Sequence, residues 1–139
     1  MRPAHLTLIG ILLFLVCLSA GAVGADAAET GPALICAPAE LLVCSPDGKC
    51  TGVSAASVDF PEFLKIDFEH QTIRGILDDG TIRIVKIAHW QRFEDKLVLH
   101  GVQNGRGWSL VLTEPQGDMT IAVSEWDAGY MVFGSCVIP

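Results

Sequence analysis

The stretch LVLHGVQNGRGWSLVL, Leu97 to Leu112, places two β-rich runs on either side of Asn104-Gly105. Asn-Gly accepts positive φ at both centres of a primed two-residue turn, and only that turn has a twist that suits paired strands. The stretch therefore reads as an antiparallel hairpin. Working upstream, KLVLHGV at 96–102 is preceded by a second tight break at Glu94-Asp95 and by a long β-rich run, IRIVKIAHWQRF, from Ile82 to Phe93. Counting outward from Glu94-Asp95 sets Lys96 against Phe93 and His100 against His89. Further upstream, Asp79-Gly80 in DDGT reads as another two-residue hairpin turn. Before it, FLKIDFE alternates Leu64, Ile66 and Phe68 with Lys65, Asp67 and Glu69, the period of a half-buried strand, and TIRGIL returns from it.

Downstream, EPQGD at 114–118 turns the chain into MTIAVS, and EWDAG leads to a last strand, YMVFGSC, that ends at Cys136. Near the front, LICA and ELLVC are two more short strand candidates. No window carries a helical stripe. SVDFPEF at 57–63, with Asp59 as a cap and Pro61 in a first turn, has room for one or two helical turns only. Strands joined so closely pair antiparallel. The expected fold is all-β: an up-and-down meander of about eight strands forming a small closed or curled barrel, with a two-sheet β-sandwich as the alternative. Trp90, Trp108, Trp126, Phe93 and Phe133 are expected to fill its core.

The N-terminus has a different character. Residues 1–25 carry one cation, Arg2, an apolar run from Leu6 to Leu18 and then small residues ending in VGA, the layout of a secretory signal peptide cleaved before Asp26. The strongly apolar run is short of the ~20 residues that span a bilayer, so no membrane span is expected after cleavage. Residues 26–33 form a loose segment and 34–139 one domain. Cleavage removes Arg2 and no acid, leaving 8 cations against 16 carboxylates and a net charge of −8. Such a balance, without a basic cluster, disfavours nucleic acid and anionic membrane surfaces as partners. The expected location is periplasmic or secreted.

Cleavage also reduces five cysteines to four, Cys36, Cys44, Cys50 and Cys136, and an even count in an exported chain reads as two disulfides. SPDGK, between Cys44 and Cys50, is turn chemistry, which brings that pair together. The remaining pair, Cys36–Cys136, then ties the first strand to the last. Neither C-x-x-C nor the paired spacing of a zinc site is present.

Candidate site residues are few. Arg106, between two glycines and beside Trp108, is placed to engage a carboxylate or a sugar at a hairpin rim, although the same residues also suit a turn, a soluble surface and a core indole. His89 and His100, opposite each other, offer two nitrogens to a metal, but surface histidines without a ligand are the simpler reading, and neither a metal nor another cofactor is expected. No G-x-S-x-G, H-E-x-x-H, P-loop or G-x-G-x-x-G motif occurs, and no catalytic residue is assigned.

The runs LVLHGVQNGRGWSLVL, GDMTIAV and VFGSC together resemble a group of small exported bacterial proteins, over about Cys36 to Cys136. That resemblance implies export and paired cysteines and carries no activity. The expected function is a non-catalytic binding or interaction module of the bacterial cell envelope, with a protein or a small molecule as partner. A small envelope hydrolase using acidic residues or histidines and a structural envelope component are the alternatives. A barrel mouth or an open edge would supply a binding site, and a solidly packed interior would move that site to the outside.

Overall fold

The computed structural model describes residues 31–139, so the expected signal peptide at 1–25 and residues 26–30 lie outside the described residues. Ten strands follow in order: β1 (Leu34–Cys44), β2 (Cys50–Val53), β3 (Leu64–Asp67), β4 (Thr72–Ile76), β5 (Ile82–Lys86), β6 (His89–Phe93), β7 (Lys96–Gln103), β8 (Arg106–Thr113), β9 (Asp118–Ser124) and β10 (Gly129–Val137). They form one strongly curled antiparallel sheet, a half-barrel with the order β5-β4-β3-β1-β10-β9-β8-β7-β6. A two-sheet sandwich is not formed. Among the described residues no helix is long and apolar enough to cross a membrane.

β1 organises the sheet. One of its edges pairs with β10 along almost its whole length. The other is shared, Leu34–Cys36 pairing with β3 and Leu41–Cys44 with β2. LICA and ELLVC are thus one long strand. Between its two halves the register against β10 shifts from Pro38 to Glu40, and a proline, with no N–H to give to a ladder, is tolerated at such an irregularity. Both disulfides are direct cross-strand pairs. Cys36 faces Cys136 across β1 and β10, and Cys44 faces Cys50 across β1 and β2, each bonded.

Three turns show how local chemistry sets the path. Asn104 and Gly105 both take positive φ, 51° and 79°, and Gln103 pairs with Arg106, which is the primed two-residue hairpin expected. At Asp79-Gly80 the outcome differs. Ile76 pairs with Ile82, only Gly80 has positive φ, its N–H donates to Leu77 O at 2.8 Å, and Leu77 N–H donates to Thr81 O at 2.9 Å. Asp79 turns its carboxylate to the Thr81 N–H, 2.8 Å away, instead of adopting positive φ itself. That bond, characteristic of aspartate in turns, selects a longer loop closed by a left-handed glycine. The helical turn is likewise displaced. A single 3-10 turn covers Ala56–Val58, and Asp59 follows it with φ 50° instead of capping its start.

The run Ile82–Phe93 is the largest departure from the linear reading. It breaks at Ile87-Ala88 into β5 and β6, which stand at opposite ends of the sheet order. Ile87 donates its N–H to Gln71 O at 2.9 Å, and Ala88 donates to His100 O at 3.0 Å. The chain thus leaves one edge of the sheet and joins the other without a turn. Periodicity cannot reveal this, because the residues stay extended while their hydrogen-bond partners change.

The core lies toward the end that carries Cys36–Cys136. Ile66, Leu97, Leu99, Leu110, Val132 and Cys36 are almost wholly enclosed. Phe68 and Trp90 meet as a tilted aromatic pair with centroids 5.3 Å apart, a geometry that suits their quadrupoles. The aromatic core expectation fails at three positions: Trp126 is 91% exposed, Phe93 60% and Phe133 38%. Trp126 occupies the turn between β9 and β10, and Phe133 is on the outer face because its neighbour Val132 points inward.

Candidate functional site

At the other end the half-barrel is hollow. A cavity of about 430 Å³ opens there, walled by Trp108 and Leu110 of β8, Ile121 and Val123 of β9, Val132 of β10 and Phe60 from the loop after β2. Its rim carries polar groups: Arg83 from β5, Gln103 and Asn104 at the β7–β8 turn, Arg106 and Tyr130. A volume of this size falls within the roughly 300–1,000 Å³ of small-molecule sites, and an apolar wall with few polar groups is their usual composition.

Trp108 can lie flat against the wall only because residue 101 is a glycine. A Cβ at Gly101 would stand 2.7 Å from the Trp108 ring and 2.8 Å from Lys86 O. The indole N–H of Trp108 is buried and the protein offers it no acceptor, an unusual state for a buried donor. Two residues before it on the same strand, Arg106 donates from Nε to Glu125 Oε1 at 2.8 Å. Tyr130 donates its hydroxyl to Glu125 Oε2 at 3.3 Å. Burial, and then the Glu125 carboxylate, pushes the Tyr130 phenol above its ordinary value.

Arg83 was not distinguished by the sequence, and the local pattern argues against its position. In IRIVK the isoleucines alternate with Arg83 and Val85, so burial of the more apolar set would turn Arg83 to solvent. The strand does the reverse. Ile82 and Ile84 are 48% and 56% exposed, while Arg83 and Val85 face the cavity. Pairing sets this direction: Val85 lies against buried Ile73 and Arg83 against buried Gly75. Arg83 reaches across the mouth and donates from a terminal guanidinium nitrogen to Asp59 O at 2.8 Å.

Of the residues singled out from sequence, Arg106 and Trp108 line the cavity together. His89 and His100 do not. They are paired in the β6–β7 register, exposed, with ring centroids 5.3 Å apart. Among the described residues no group of three or more His, Cys, Asp or Glu is placed to hold a metal ion. The carboxyl groups with lowered pKa, Asp47, Asp67, Asp79 and Asp95, belong to turns or, for Asp67, to the end of β3 where the next turn begins. The largest causes are, in order, the Ser45 hydroxyl, the His70 backbone N–H, the Thr81 backbone N–H and the Lys96 ammonium. Each favours the ionised form. Compared with known protein families, curated proteins and solved structures, the chain matches none.

Proposed function

We propose that this protein is an exported, non-catalytic binding module of the bacterial cell envelope that takes a small molecule in the mouth of its half-barrel. One observation carries the reading: the sheet is packed at the Cys36–Cys136 end and hollow at the other, where the cavity has an apolar wall and a polar rim. Two disulfides support a non-reducing compartment, where such bridges persist. The leader-like residues 1–25 support export by cleavage before Asp26, which N-terminal sequencing of the mature protein checks.

The cavity is tested with Nile red, a neutral apolar dye that brightens out of water, on the oxidised protein. The expected result is saturable binding at one site that Val123→Trp, which fills the cavity, abolishes while the protein stays folded. Failure to bind, or binding that Val123→Trp leaves intact, overturns the small-molecule reading and returns the partner to the outer surface.

A further inference from the structure

We infer that the ligand of this cavity is an anionic amphiphile, its apolar body against Trp108 and Val123 and its carboxylate or phosphate head held by Arg83. The inference rests on reading the cavity as a binding site and adds the charge and shape of what enters it. Three observations carry it. First, β5 faces Arg83 inward at the cost of exposing Ile82 and Ile84, an inversion of the ordinary burial pattern. Val85 on the same face packs against the core, so the direction has a structural cause. It nonetheless leaves a guanidinium turned to the cavity, and local rules of this kind are broken chiefly at functional sites.

Second, Arg83 is oriented but not neutralised. Its partner is a backbone carbonyl, that of Asp59. Among the described residues the paired cations are Lys49, His70, Arg92, Lys96 and Arg106, and Arg83 is not one of them. In a protein with 16 carboxylates against 9 lysines and arginines, an arginine facing inward without a carboxylate partner is an unfilled half of an ion pair. Its planar fork suits the two oxygens of a carboxylate or phosphate. Third, neither nearby acid forms an ion pair with Arg83. Asp59, the acid that lines the cavity, offers Arg83 its backbone carbonyl, and Glu125 is engaged by Arg106 and Tyr130.

Displacement of Nile red by four probes that share one alkyl chain tests this: decanoate, decyl phosphate, 1-decanol and decylamine. An anion is expected to displace the dye at least about tenfold more effectively than 1-decanol, the scale of one charge-assisted hydrogen bond. The stronger of the two anions names the head group. Arg83→Gln is expected to reduce that preference to about twofold or less with 1-decanol unaffected, whereas Lys65→Gln, on the outer face of β3, leaves it unchanged. Should Arg83→Gln not fold, Arg83→Met, which keeps the side-chain stem, takes its place. Equal displacement by 1-decanol and both anions, a preference for decylamine, or an anion preference that survives loss of Arg83 overturns the inference while leaving the cavity as a site. Absence of Nile red binding defeats the cavity reading itself.

Discussion

The two ends of the half-barrel are made from the same strands and are filled in opposite ways. At one end Leu97, Leu99, Leu112 and Met119 close against Ile66 and Phe68 beside the Cys36–Cys136 bridge. At the other, strands β8 to β10 continue with Trp108, Val123 and Tyr130, and a cavity separates them from Phe60, Arg83 and Val85. The difference teaches that a meander this short can be held by half of its interior. A covalent tie between its first and last strands stiffens that half, and the remaining interior is free to receive something else.

Breaking each end in turn should expose the contrast. The largest effect is expected from the long bridge. Converting Cys36 and Cys136 to alanine should cost about 4–5 kcal/mol by loop entropy, against about 2 kcal/mol for Cys44 and Cys50, measured as urea unfolding free energies. Similar losses for the two pairs would remove the packed end's special standing. Next, Leu99→Ala, in the packed end, should lose roughly 2–5 kcal/mol through a cavity that cannot collapse. Val123→Ala, on a wall that already borders empty space, should lose about 1 kcal/mol.

Small-to-large changes sharpen the same contrast. Leu99→Phe should overpack and cost about 1–3 kcal/mol, while Val123→Phe should cost less and weaken Nile red binding; comparable destabilisation at both sites would mean that the mouth is not hollow. Acid should act on turns at both ends alike. Asp47, Asp67, Asp79 and Asp95 have lowered pKa values in the folded protein, so the stability they contribute is present above the ordinary carboxyl value of 3.8 and is lost as pH falls below it. The urea midpoint should therefore hold from neutral pH to about pH 5 and drop below pH 4. Asp67→Asn should flatten that drop, and an unchanged acid limb would refute the assignment. The smallest effect belongs to Trp126→Ser, within about 0.5 kcal/mol, because the indole is almost fully in water.

Much of the fold was legible because it is written in local rules. Asn104-Gly105 dictates a primed turn, and Glu94-Asp95 sets the register that brings His89 against His100. Cys36 and Cys136 follow from an even count and one tight loop. The misread parts have a common cause. β2 is a four-residue strand with exposed residues and no apolar alternation to announce it. Trp126 is an aromatic residue whose turn carries it into solvent. The site was half legible: Arg106 and Trp108 share a strand with a conspicuous turn, whereas Arg83 lies on a strand whose alternation points the wrong way.

The sequence alone determined the strand class, the antiparallel succession and the disulfide pairs, because turn geometry, alternation and chain proximity act over a few residues or through covalent bonds. Only the tertiary structure decided that Ile87-Ala88 carries the chain from one edge of the sheet to the other, that β5 faces its arginine inward, and that one end stays hollow. These depend on which strands meet across the barrel axis, and no residue records its distant partners in its own neighbourhood.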